Sequence, residues 1–209
     1  MVDRTAKRRP TVSIVALSAA VLASAALGGS GSLAGPGSHP SDFRLAAWPR
    51  RADSPDFKLV DFDGQPRTLA DYRGHVVLVF FGFLRCPDVC PAELFKLSLV
   101  MKQLGPAREH VQVLFVTLDP ERDTGKLLKG YVTAFDPHFV GLTGTTAQID
   151  QAAGSFYVEY ARVGAGDDYT IDHSTSTFVL DAGGRLRLVG AMNASVGDYA
   201  HDLAALAAE

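Results

Sequence analysis

Cysteine is scarce in this chain: Cys86 and Cys90 are the only two in 209 residues, and both fall in one short segment. Two cysteines cannot build a disulfide scaffold, so they either pair with each other or do chemistry. An excess of positive charge is also missing. The formal charge is −3, and without residues 1–27 the remainder holds 16 basic and 22 acidic residues, a formal −6. That balance argues against a basic face for phosphates, and so against nucleic acid as a partner. The Gly-rich stretch from Gly28 to Gly37 follows no strand and lacks the lysine of a phosphate loop, which excludes that reading. No internal repeat is present. What remains is 47% apolar and 21% charged, a composition that suits one soluble folded domain with extensions.

The first part of the chain reads as an export segment. Lys7, Arg8 and Arg9 precede an uncharged apolar run from Thr11 to Leu27, and Ala23-Ser24-Ala25 offers a small-residue cleavage site. The run is close to the lower limit for a membrane span, about 17 residues. A cleaved signal peptide and an uncleaved N-terminal membrane anchor are both compatible with residues 1–27. No cysteine follows the run, which excludes lipid attachment there. Residues 28–55 are rich in Gly, Ser and Pro and read as a flexible tether. The folded domain is expected to occupy residues 56–209.

Within that domain the pattern alternates. Phe57–Phe62 reads as a short strand before the Asp63-Gly64 turn. His75–Phe83 is an apolar run rich in Val and Phe, suited to a strand buried on both faces. Pro91–Leu104 carries Leu94, Leu97, Met101 and Leu104 at helical spacing and stops at Gly105-Pro106. Val111–Leu118 is a second buried strand. Thr124–Phe135 and Thr145–Gly154 read as helices. Phe178–Asp181 and Leu186–Val189 form a hairpin about Gly183-Gly184. Ser195–Ala208 is a closing helix. This order predicts an α/β fold: a central mixed sheet, parallel where helices cross over and antiparallel at the end, flanked by helices. The thioredoxin architecture has this layout.

The two cysteines lie between the first buried strand and its helix. Unpaired N–H groups and the helix dipole at such a position favour a thiolate, the form that attacks disulfides and binds metals. Pro87 and Pro91 suit a first helical turn. Redox enzymes of the thioredoxin type place two residues between their cysteines, whereas here there are three. Residues four apart share one helix face, about 5–6 Å between β-carbons. Two sulfurs so placed can converge on one soft metal, such as copper, zinc or an iron–sulfur cluster, or close a disulfide. An inert disulfide is weakened as an explanation by the small entropy gained from so short a loop. A redox pair and a metal site both stay open.

A metal site needs a further ligand. His39, His75, His110, His138 and His201 read as surface residues. His173 lies in Asp168–Thr175, just before the strand of Phe178, where a loop can approach the first strand–helix turn; position alone favours a surface loop. Two thiolates and one imidazole suit copper in either oxidation state. Asp172 is a candidate to orient the imidazole.

Four segments, FFGFLRCPDVCPAEL (80–94), TLDPERDT (117–124), YVTAFDPHFVGLTG (131–144) and DYTIDHST (168–175), together resemble the Sco/SenC family, copper-binding assembly factors of cytochrome c oxidase. The resemblance implies a thioredoxin-like domain outside the cytoplasm. It implies copper, as Cu(I) or Cu(II), held by Cys86, Cys90 and His173, with Asp119 in a supporting role. It implies delivery of that copper to the binuclear centre in the copper-bearing subunit of the oxidase, or reduction of that centre's cysteines by the Cys86–Cys90 pair. Other copper chaperones or a thioredoxin-like reductant are further expected partners. A plainer reading of TLDPERDT is a helix entry capped by Asp123 or Thr124. A peroxidase of the same fold is rejected, since the motif of a peroxidatic cysteine is absent.

Overall fold

A computed structural model of the chain describes residues 42–49 and 54–209. The expected leader, residues 1–27, and most of the expected tether lie outside the described residues. In chain order the elements are β1 (Ala46–Ala47), β2 (Leu59–Asp61), β3 (Pro66–Arg67), β4 (Val76–Gly82), α1 (Val89–Leu104), β5 (Val111–Thr117), α2 (Gly125–Phe135), β6 (Val140–Thr143), α3 (Thr146–Ser155), β7 (Tyr160–Val163), β8 (Thr170–His173), β9 (Thr177–Leu180), β10 (Leu186–Gly190) and α4 (Val196–Ala207). No helix of the described residues is long and apolar enough to cross a membrane.

The apolar runs at 75–83 and 111–118 become the two central strands. All seven residues of β4 are buried, as a strand with helices on one face and further packing on the other requires. β4 and β5 pair in parallel from Val76↔Val111 to Gly82↔Thr117, and β5 pairs in parallel with β6. Parallel neighbours need a crossover, and α1 and α2 supply the two. The hairpin β9–β10 adds antiparallel to the free side of β4. The full eight-stranded order is β1-β10-β9-β4-β5-β6-β2-β3. This is the mixed, helix-flanked, thioredoxin-like sheet expected from the element order.

Period-two alternation divides the core. Val76, Leu78 and Phe80 join one apolar cluster with residues of α1, α2 and α4, such as Leu94, Leu128 and Leu203. Val77, Val79 and Phe81 join a second with Ile149 and Ala153 of α3 and with Ile171 of β8. Helix starts are set by polar caps. Thr145 and Ser195 each close a capping box, with Gln148 and Asp198 respectively. At α2 the expected cap is different in kind. Neither Thr124 nor Asp123 caps the helix with its side chain; Asp123 is drawn inward instead.

Two departures from the sequence reading matter. First, the expected tether runs into the fold. β1 pairs with β10 at Ala46↔Val189, Leu45 is buried, and the Asp202 carboxylate of α4 accepts the backbone N–H groups of Arg44 and Leu45 at 2.7–3.0 Å. A two-residue strand of alanines in a Gly/Pro-rich context carries no periodic signal, so its pairing is set by the distant partner. Second, His173 is carried on a strand and not on a plain loop. β7 and β8 form a separate two-stranded sheet, with register from Tyr160↔His173 to Val163↔Thr170.

Candidate metal centre

Cys86 lies in the turn leaving β4, its N–H donating to the Phe83 carbonyl at 3.2 Å. Cys90 is the second residue of α1. Pro91 occupies the next position, where a helix needs no N–H donor. Both cysteines are free thiols; Cys86 is half-buried and Cys90 is fully buried. The Cys90 N–H points at the Cys86 sulfur at 3.3 Å. Gly82 makes room behind them, because a β-carbon there would stand 2.7 Å from the Cys90 sulfur.

Burial changes the expected chemistry of Cys90. The helix N-terminus was expected to favour a thiolate at both cysteines. At Cys90 the loss of solvent dominates and pushes the thiol well up, and neighbouring Cys86 adds to the rise. Cys90 is therefore a protonated thiol until something stronger than the dipole, such as a metal ion, displaces its proton.

His173 arrives from the separate β7–β8 sheet. It is the last residue of β8, not a loop residue. Its Nε2 lies 3.6 Å from the Cys90 sulfur, and its Nδ1 lies 2.9 Å from the Ser174 carbonyl. A carbonyl only accepts, so the proton sits on Nδ1 and the Nε2 lone pair faces the sulfurs. Phe80 and Phe83 flank the ring edge-to-face, at centroid distances of 6.4 and 5.9 Å. The three donor atoms of Cys86, Cys90 and His173 all lie within 4.8 Å of one another, and among the described residues no other three His, Cys, Asp or Glu side chains gather so closely. Two sulfurs and one imidazole nitrogen form a soft donor set. A groove of about 290 Å³ opens beside them, lined by residues including Phe83, Pro87, Val89 and Thr175.

The expected supporting residues fall differently. Asp172 precedes His173 on a strand, so the two side chains leave opposite faces; Asp172 is exposed, and the orienting bond expected of it is made by the Ser174 carbonyl. Asp119 is buried and does not touch the cluster directly. It accepts the Tyr169 hydroxyl at 2.6 Å and is ion-paired with Arg122. Asp123, expected as a cap, accepts the Leu84 N–H at 3.0 Å and the Thr117 hydroxyl at 2.6 Å, tying the cysteine turn to the end of β5. Burial pushes its carboxyl up. Glu93, which the sequence reading passed over, lies one turn beyond Cys90 and is buried. It accepts Lys96 Nζ at 2.7 Å, the Thr177 hydroxyl at 2.9 Å and the Tyr199 hydroxyl at 3.2 Å. Thr177 opens β9, four residues after His173, so this carboxylate joins the two segments that carry the cluster. A signal for β8 was present: Tyr169, Ile171 and His173 alternate with polar residues, and all three turn inward.

Comparison with known proteins gives the family of the chain. The SCO1/SenC family profile matches residues 48–208. The chain is 40% identical over 133 residues to an SCO2-like protein of Rickettsia felis, and 46% identical over 134 residues to the human mitochondrial SCO2 homolog. Each match covers 62% of this chain; it covers 65% of the Rickettsia protein and 50% of the human one, so the shared part is well short of those relatives' full length. The structure of Bradyrhizobium japonicum ScoI with copper bound is 36% identical, with a TM-score of 0.68 over 73% of this chain and 98% of that one. The fold, the clustered Cys86, Cys90 and His173, and a profile match over most of the chain lead to one conclusion: this protein belongs to the SCO1/SenC family.

Proposed function

We propose that this domain binds one copper ion through Cys86, Cys90 and His173 outside the cytoplasm and delivers it to the copper-bearing subunit of cytochrome c oxidase. The observation that carries the reading is the convergence of two sulfurs and an imidazole nitrogen within 4.8 Å. The donor set fits copper chemically. Thiolates suit Cu(I), imidazole suits Cu(II), and three donors with an open groove leave a side from which the ion can depart. The copper-bound Bradyrhizobium relative supports the choice of metal. In this reading residues 1–27 export or anchor the chain, and the residues after them hold the domain near the membrane. Binding requires both cysteines reduced, so a Cys86–Cys90 disulfide would switch loading off.

A second reading, a thiol–disulfide reductase, uses the same pair of free cysteines. There, Cys86 and Cys90 give two electrons and two protons to a target disulfide and become a disulfide themselves. The two readings separate in one experiment. Copper-loaded protein is mixed with the metal-free copper-bearing domain of the oxidase subunit, presented with its cysteines reduced. The chaperone reading predicts transfer of the ion and appearance of the binuclear centre's absorption. Copper retained on this chain, with transfer of electrons only to the oxidised form of the target, would favour the reductase.

A further inference from the structure

Among the described residues, His173 ends a strand whose only ladder partner is β7, and this small sheet shares no hydrogen-bonded strand pair with the main one. Besides the short chain link from His173 to Thr177 of β9, the distance from the imidazole to the cysteines is therefore set by side chains that fasten β8 to the domain. These fastenings concentrate on Tyr169, the buried residue just before β8. Its ring lies under the Arg122 guanidinium at 3.5 Å and the Arg162 guanidinium at 3.9 Å, both measured to the ring centre. Two planar cations at that height need opposite faces, so the ring is sandwiched. Its hydroxyl donates to Asp119 at 2.6 Å. The same carboxylate holds Nε of Arg122, and Nη1 of Arg122 donates to the carbonyls of Tyr169 at 3.0 Å and Asp167 at 3.2 Å. Among the described residues the buried Nη2 of Arg122 finds no hydrogen-bond partner, as suits a guanidinium laid flat on a ring. Arg162 is held in turn by Glu121 at 2.7 Å.

Asp119, Glu121 and Arg122 all belong to the turn between β5 and α2. Asp123 of that turn also holds the Leu84 N–H, two residues before Cys86. One short segment thus fixes both the cysteine turn and the start of β8. Tyr169, Ile171 and His173 share the inward face of the strand, a reach of about 13 Å from the first to the last.

We propose that Tyr169 is a positioning residue for His173: clamped between Arg122 and Arg162 on Asp119, it sets where β8 places the imidazole relative to Cys86 and Cys90. The copper arm of the test rests on the copper-binding reading above; the resonance arm does not.

The test compares Tyr169→Phe, Tyr169→Ala, His173→Ala and the Tyr169→Ala/His173→Ala double variant of the full chain. In metal-free protein the His173 ring protons are followed by NMR, since Phe80 and Phe83 impose ring-current shifts on them. Tyr169→Ala is expected to move these signals toward their exposed positions and to weaken Cu(II) binding about tenfold, ~1.4 kcal/mol. Tyr169→Phe keeps the ring but loses the hydroxyl bond, and is expected to move both readouts in the same direction by about threefold in affinity. In the double variant the Tyr169 change should add less than twofold, because its effect runs through a side chain already removed. Unmoved His173 signals in folded Tyr169→Ala, or an undiminished tenfold loss on top of His173→Ala, would overturn the proposal. If Tyr169→Ala does not fold, unmoved signals and unchanged affinity in Tyr169→Phe overturn it. Should His173→Ala bind copper as tightly as the wild-type chain, the ligand assignment of the copper-binding reading fails while the resonance arm still decides the role of Tyr169.

Discussion

Replacing His173 by alanine is expected to weaken Cu(II) binding at least a hundredfold, about 2.7 kcal/mol, while the Cys86–Cys90 disulfide still forms on oxidation. The imidazole is the only nitrogen donor in the cluster, and its Nε2 faces the sulfurs because Nδ1 is committed to the Ser174 carbonyl. Without it two sulfurs remain, too few for a closed site. The disulfide bond itself uses no atom of β8. The cysteines lie on the β4–α1 connection, and the contacts that seat Cys90 come from Gly82 and the core of that connection. The two readouts therefore separate: competition titration follows the metal, and a thiol count after mild oxidation follows the disulfide. Undiminished copper affinity would remove His173 from the ligand set. Loss of both together would point to collapse of the turn instead.

Replacing Glu93 by alanine is expected to cost about 3–5 kcal/mol of folding stability, the range for breaking a buried charge network by removing one member. Glu93 is 1% exposed and gathers an ammonium and two hydroxyls from α1, β9 and α4. The Thr177 and Tyr199 hydroxyls are both buried and also bond to each other, so removing the acceptor they share strands at least one donor, at about 1–3 kcal/mol. Lys96 escapes part of this, since its Nζ also donates to the Met192 carbonyl at 2.8 Å. Glu93→Gln keeps the shape and an acceptor, and should recover more than half of the loss. Chemical denaturation of the three proteins measures this directly. Equal stability of Glu93→Ala and wild type would show the network to be dispensable.

The legible parts of the fold were those with local signals. Two apolar runs of strand length, each followed by helical spacing, force a parallel pair with crossovers, and β4 and β5 are that pair. The cysteine motif was legible because its position between strand and helix carries chemistry of its own. Three other features were not legible, and each depends on a distant partner. β1 has two alanines and exists because β10 offers an edge and Asp202 offers a carboxylate. The protonated state of Cys90 follows from burial by the folded core, which outweighs the local dipole. The β7–β8 sheet hides behind a Gly-rich tip, and its short alternation was readable only once Tyr169, Ile171 and His173 were counted on one face. That same count would have turned Asp172 outward.

The central claim is a single site made by both sulfurs. Its most direct test is copper content, with a thiol count, on reduced wild-type protein and on Cys86→Ser and Cys90→Ser variants. The account predicts one copper per wild-type chain, with a thiolate-to-copper absorption band on Cu(II) loading that disappears in either variant. A full equivalent of copper with an unaltered band in Cys86→Ser or in Cys90→Ser would contradict it.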